Sequence, residues 1–99
     1  MNYIDEAREE LAKHIHVGKG LMRVYTLLVL IKGEETTLQD VHDAWAVNIS
    51  ETWDKETNGE HWSLVPFDEL KPETQAKDQK YVDGIRKTAR ILKERHVKE

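Results

Sequence analysis

Apolar residues recur at helical spacing near the start of the chain. They are Ile4, Ala7, Leu11 and Ile15. Intervals of three and four residues place these side chains on one face, with glutamates and lysines on the other. The pattern therefore predicts an amphipathic helix over residues 3–15. The segment HVGKG, at residues 16–20, interrupts it.

The next stretch, residues 21–31, is apolar on more than one face. One face carries Leu21, Val24, Leu27, Leu28 and Ile31, and another carries Met22, Tyr25 and Val29. We interpret it as a central buried helix ended by Gly33, although its β-branched residues also suit a strand. Because a four-helix monomer does not cover every apolar side of such a helix, this stretch is also the predicted interface of a homodimer.

Two further helices are indicated by their first residues. Thr37 is a predicted N-cap with Asp40 three residues on, which is a variant of the capping box, so a third helix is expected from about Leu38 to Ile49. Pro72 suits the first position of a last helix. The apolar face of that helix consists of Tyr81, Val82, Ile85, Ala89 and Leu92. Gly84 lies in its middle, where a close packing contact would explain it.

Residues 50–71 lack helical periodicity. The pair Asn58-Gly59 favours a tight turn with positive φ, and the pieces on either side, ISETW and HWSLV, can be extended. These features predict a two-stranded hairpin. The expected fold is therefore mainly α, with about four helices and one short β-hairpin, in a single domain of residues 1–99 whose N-terminal helical part is 1–35.

The segment HWSLVPFDEL, at residues 61–70, concentrates aromatic and apolar side chains where Pro66 prevents an ordinary helix. It is either a structural staple on the core or a ledge that faces a ligand. We expect Leu64, Val65 and Phe67 to turn inward, and Trp62 with His61 to face a shallow groove beside Trp53.

Composition narrows the classes of function. Fifteen Lys and Arg against nineteen Asp and Glu give a formal charge of −4, which lacks the basic balance of a duplex-DNA-binding protein. The chain has no cysteine, so disulfides and thiolate metal sites are excluded. The acidic N-terminus does not resemble a signal peptide, and the longest apolar run is too short to cross a bilayer. A cytoplasmic protein is expected.

Several residues have a functional and a structural interpretation. Trp53 and Trp62, at the feet of the predicted hairpin, either stack on a base or pack as core. His61 either donates to a phosphate or bonds a backbone group, and Phe67 either lines the site or locks a turn. Arg86 and Arg90 either contact phosphates or form a solvated face. The histidines lack the spacing of a helical metal pair, and Ser63 with His61 lacks an acidic partner, so we predict no metal, no cofactor and no catalytic residue.

The motifs VHDAWAVNISETW and HWSLVPFDELKPETQAKDQKY resemble the ryanodine-receptor-type repeat, over residues 38–92. The matching positions are His42, Trp45, Trp53, His61, Leu64, Val65, Pro66, Phe67, Leu70, Pro72 and Asp78. The whole pattern is also similar to small proteins of actinobacteria and their phages. The resemblance implies a repeat that pairs about a twofold axis, hence a homodimer, and a ligand derived from a nucleotide.

Two functions follow as expectations. The first is a non-enzymatic binding module for a nucleotide-derived ligand, in phage or bacterial signalling or defence. Its ligand-binding residues would be Trp53, His61, Trp62, Phe67, Arg86 and Arg90. The second is a protein-interaction module or regulatory factor that uses the same aromatic surface for a partner chain.

Overall fold

The chain folds into helices joined by short loops. A computed structural model describes residues 1–97, and the two C-terminal residues lie outside it. The α-helices are α1 (Tyr3–Leu11), α2 (Lys19–Ile31), α3 (Leu38–Thr52), α4 (Lys55–Asn58), α5 (Pro72–Ala76) and α6 (Gln79–Val97). Two 3-10 turns, Gly33–Glu35 and Phe67–Glu69, follow α2 and precede α5. No strand forms within residues 1–97.

Two of the helices begin with reciprocal side-chain caps. The Asn2 side chain accepts from the Asp5 N–H at 2.8 Å, and the Thr37 hydroxyl accepts from the Asp40 N–H at 3.1 Å. In each case the aspartate accepts in return from the backbone N–H of the cap residue. Each cap satisfies donors that the first turn of a helix leaves unpaired. The predicted cap at Thr37 is confirmed.

The core lies where α1, α2, α3 and α6 meet. Its most buried apolar side chains are Ala7, Leu11, Ile15, Tyr25, Leu28, Val29, Val41, Val82 and Ile85. The second helix packs against the other three, as expected of a central helix. Its outer face stays uncovered, however, and Leu27 and Ile31 are more than half exposed.

The N-terminal helix is shorter than its apolar spacing predicts. After Leu11, the N–H groups of Lys13 and His14 bond carbonyls three residues back, at 3.1 and 2.9 Å, which tightens the chain into a turn. Ile15 stays buried beyond this turn and packs over Gly84 of α6. A side chain at Gly84 would meet Ile15, so the glycine allows this end of α1 to approach α6.

The predicted hairpin is wrong. The segment ISETW continues α3 as far as Thr52 instead of forming a strand. The Asp54 carboxylate then accepts from the N–H groups of Glu56 and Thr57, at 3.1 and 3.2 Å, which caps α4. The Thr57 side chain, together with these backbone hydrogen bonds, holds the pKa of Asp54 below its usual value. Gly59 does adopt a positive φ of 71°, but it ends this helical turn rather than reversing a strand. The helical character of the chain is confirmed.

The predicted last helix is broken into two. α5 begins at Pro72 as expected and ends at Ala76, after which Lys77 and Asp78 separate it from α6. The Asp78 carbonyl accepts from the N–H groups of Tyr81 and Val82, so this residue stands at the start of α6. Within residues 1–97, no helix has the length and apolar character needed to cross a bilayer.

Candidate ligand-binding site

His42 fastens the segment 61–70 to α3. It is only 3% exposed, and its Nε2 lies 2.7 Å from the Val65 carbonyl oxygen. Because a carbonyl only accepts, Nε2 carries the proton and donates it. This bond fixes the irregular segment beside the middle of α3. Leu64, Val65 and Phe67 are each partly buried there.

A row of alternating imidazole and indole rings runs from this anchor toward solvent. The His42 ring stacks on Trp45 at 5.7 Å between centroids, and Trp45 meets His61 edge to face at 5.3 Å. His61 contacts Trp53 at 4.6 Å and Trp62 at 5.9 Å. Edge-to-face and offset stacking at these distances are favourable aromatic geometries. The row therefore holds His61 at the centre of all three indoles.

Hydrogen bonds at both ends orient His61 and Trp53. The Ser63 N–H donates to His61 Nδ1 at 3.0 Å, so Nδ1 acts as an acceptor and the proton of a neutral ring sits on Nε2. The indole Nε1 of Trp53 donates to the Gly59 carbonyl at 2.7 Å. Trp53 thus joins the end of α3 to the turn after α4 and supports His61 from behind.

An open cavity of about 210 Å³ lies against this row. The cavity is lined by the rings of His42, Trp45, His61 and Trp62. Lys77 and Asp78, from the break between α5 and α6, also line it. Trp62 stands at the edge with 72% of its surface exposed. An indole so exposed, next to a concave surface, offers a free face for stacking.

Asp78 is the acidic group of this cavity. It is partly buried, and within residues 1–97 its carboxylate accepts no hydrogen bond and forms no ion pair with another side chain. Burial raises the pKa of Asp78, while His42 and Lys80 pull it down. Burial raises the pKa of the Tyr25 hydroxyl, and the nearby negative charge of Asp78 raises it further. The carboxylate is therefore an acceptor that borders the same cavity as the aromatic rings and has no protein donor within residues 1–97.

The structure brings together part of the predicted site. His61 and Trp62 line the cavity, Trp53 lies behind His61, and Phe67 lies behind His42 with ring centroids 6.2 Å apart. Arg86 and Arg90 stand elsewhere. Eight residues of helix at 1.5 Å each place Arg86 about 12 Å along α6 from Asp78, and Arg90 is further still. The Arg86 Nε donates to the Thr36 carbonyl at 2.7 Å.

The predicted site left out most residues of the wall, among them Trp45, His42 and Asp78. Trp45, His42 and Asp78 were singled out from the sequence only as matching positions of a repeat. No sequence signal marked Asp78 as part of the site, because the break before α6 falls within a continuous polar stretch. Within residues 1–97, no three His, Asp or Glu side chains are arranged to hold a metal ion.

Fold and cavity together define a small helical protein with an aromatic-walled surface site. The chain belongs to a family described as a domain of unknown function, DUF7701, which matches residues 2–90. This finding corrects the resemblance to the ryanodine-receptor-type repeat, whose family does not match the chain. No curated protein and no solved structure matches it significantly. The motif positions His42, Trp45, His61 and Asp78 are thus explained by packing around one cavity.

Proposed function

We propose that this protein is a non-enzymatic binding module for a nucleotide-derived ligand whose base enters the cavity beside Trp62. The observation that carries the proposal is the exposed Trp62 indole at the edge of a cavity walled by Trp45 and His61. Stacking of a base on an aromatic side chain contributes about 1–3 kcal/mol and needs only a free ring face. Such ligands are abundant in the cytoplasm, which is the location proposed for the protein.

The size of the cavity supports a ligand that enters only in part. Its volume of about 210 Å³ is below the roughly 300–1,000 Å³ of pockets that enclose a drug-sized molecule. A single ring system fits, with the sugar and phosphate left at the rim. Lys77 is exposed on that rim and is a cation available to a phosphate.

A binding role is favoured over catalysis by the hydrogen bonding of His61. Its Nδ1 accepts from the backbone N–H of Ser63, at 3.0 Å, instead of accepting from a hydroxyl. A histidine that activates a serine needs a hydrogen bond to that hydroxyl and an acidic group behind it. The support for a non-enzymatic module is therefore the engagement of this imidazole with the backbone.

The test is a thermal-shift titration with the four nucleoside 5′-monophosphates at millimolar concentration. A ligand that binds only the folded state raises the midpoint of unfolding by mass action. We expect a shift for wild type and for Tyr3→Ala, a distant aromatic residue that is also exposed. The shift should be lost in Trp62→Ala. If none of the four nucleotides moves the wild-type midpoint, the nucleotide proposal is wrong.

A second candidate is self-association, in which the protein acts as an interaction module. The supporting observation is the uncovered apolar face of α2, where Leu27, Leu30 and Ile31 are all exposed and Ile4 of α1 lies in the adjoining groove. Contiguous apolar surface of this kind is typical of an interface. The partner we propose is a second copy, as a homodimer of twofold symmetry.

Light scattering at micromolar concentration tests the homodimer. Wild type and Val47→Lys, a control at an exposed apolar residue of α3, should both give twice the 11.6 kDa chain mass. Leu27→Lys should give a monomer, because an interface does not accommodate an unpaired ammonium group. A wild-type mass of one chain contradicts this candidate and leaves the binding of nucleotides untouched.

A further inference from the structure

The Asp78 carboxylate, unpaired within residues 1–97, restricts which base suits the cavity. An ionised carboxylate has two oxygens that accept and no group that donates. A base that pairs with it must therefore present two neighbouring N–H donors on one edge. Guanine does so through its ring N1–H and its exocyclic amino group, whereas adenine and cytosine present a ring acceptor beside an amino donor, and uracil presents one N–H between two carbonyls.

We propose that the base is of the guanine class, held edge-on by Asp78 and stacked on Trp62, with Trp45 beside it. The inference rests on the proposed function and names the base that the same cavity selects. Two parallel hydrogen bonds from guanine to a carboxylate are charge-assisted, so they are stronger than bonds between neutral groups.

The surroundings of Asp78 favour this pairing. His42, which also lines the cavity, has its Nε2 proton committed to the Val65 carbonyl. Lys77 is exposed at the rim, and the Lys80 ammonium lies over the Tyr81 ring, 5.0 Å from its centroid. Neither lysine forms an ion pair with the carboxylate in the described part of the chain. A donor-rich edge that enters the cavity therefore replaces water at Asp78, and no hydrogen bond to another described side chain has to break first.

The walls supply the second requirement, which is a surface for the flat face of a purine. The His61 and Trp62 rings lie nearly parallel, with 24° between their planes, and Trp45 closes the inner side of the cavity. A base whose edge points to Asp78 exposes its face to the Trp62 ring. Edge and face are thus recognised by different residues, which allows them to be tested separately.

Recognition of the base edge by Asp78 is tested on the wild-type protein by comparing the binding of GMP with that of IMP, which is the same nucleotide without the exocyclic amino group. Titration followed by tryptophan fluorescence gives both dissociation constants. Loss of one charge-assisted hydrogen bond weakens binding about tenfold or more. We expect GMP to bind at least tenfold more tightly than IMP and AMP. Equal binding of GMP and IMP overturns the inference.

Substitution of Asp78 is the second test of the guanine inference. Asp78→Asn offers one donor and one acceptor, so it should weaken GMP binding about tenfold and improve AMP binding. Asp83→Asn, at an exposed aspartate of α6, should leave both unchanged. Tighter AMP than GMP binding in wild type, with loss of AMP binding in Trp62→Ala, overturns the guanine inference and leaves the nucleotide proposal standing. No binding of any nucleotide overturns both.

Discussion

Arg95 donates to Glu10 at an Nη2–Oε1 distance of 2.7 Å and so joins the last helix to the first. The same carboxylate also receives Lys13 and His14, at 3.2 and 3.1 Å. Glu10 is 5% exposed, which makes it a buried charge with three partners. Arg95 also forms an ion pair with Glu6 at 3.0 Å. This network of polar contacts connects α1 with α6.

Glu10→Gln should destabilise the protein. The substitution keeps the shape of the side chain but removes the charge that three donors share. Hydrogen bonds to charged groups contribute about 1.5–3 kcal/mol, so we expect a loss in that range in urea unfolding at pH 7. The control is Glu9→Gln, an exposed neighbour on α1, which should change little. Equal effects of the two variants would contradict a structural role for Glu10.

The same carboxylate should make stability depend on pH. The Arg95 guanidinium lowers the pKa of Glu10 from 4.5 to about 2. A carboxyl whose pKa is depressed in the folded state stabilises that state above its unfolded pKa. This contribution should be complete above about pH 4.5 and disappear as the pH falls toward 2. Thermal melts across that window should show a steeper decline for wild type than for Glu10→Gln.

Gly84→Ala should destabilise the protein although alanine is the better helix former. The added methyl group would collide with Ile15, and overpacking costs about 1–3 kcal/mol. The gain in helix propensity is about 1 kcal/mol, so the collision should prevail. Urea unfolding measures the net effect. Lys87→Ala, at an exposed position of α6, is the control, and an increase in stability of Gly84→Ala would show that Ile15 moves aside freely.

Trp62→Ala should leave the fold nearly intact. With 72% of its surface exposed, the side chain contributes little burial, and we expect a loss of about 1 kcal/mol or less. Acrylamide quenching gives an independent measurement in variants that keep only one tryptophan. Trp62 should be quenched readily and Trp45 poorly. A protected Trp62 would return this residue to a structural role and remove the stacking face on which the nucleotide proposal depends.

His42→Ala should release the segment 61–70 from α3. It leaves the Val65 carbonyl without its donor and opens space between Trp45 and Phe67. An unsatisfied buried acceptor costs about 1–3 kcal/mol. Urea unfolding should show the loss, together with a shift of tryptophan emission to longer wavelength. His16→Ala, at an exposed histidine, should produce neither change.

The sequence was most informative where the determinants are local. The cap at Thr37 depends on Asp40, three residues away, so the pattern alone located the start of α3. The Asn58-Gly59 pair was equally local, and it correctly indicated positive φ at Gly59. It did not reveal which element that glycine ends. A left-handed glycine terminates helices as well as hairpins, and here the Asp54 cap decided for the helix.

The site was less predictable because distant elements build it. His61 and Trp62 were identified from their place in an aromatic segment, but their partner Asp78 lies beyond another helix. Its position depends on the break between α5 and α6, where the continuous polar sequence gave no stop signal. Arg86 belonged to the expected site through its charge alone, whereas the direction of α6 takes it toward Thr36.

The contact of every indole with His61 gives the protein a built-in optical reporter. The chain has three tryptophans, and their ring centroids lie 4.6 to 5.9 Å from that one imidazole. Their fluorescence emission therefore reports on one region of the molecule, the corner around His61. A change of signal during unfolding or titration marks an event at this corner, while separation of α1 from α2 passes without a spectral trace. Comparing emission with circular dichroism consequently distinguishes loosening of the aromatic end from loss of the helical body.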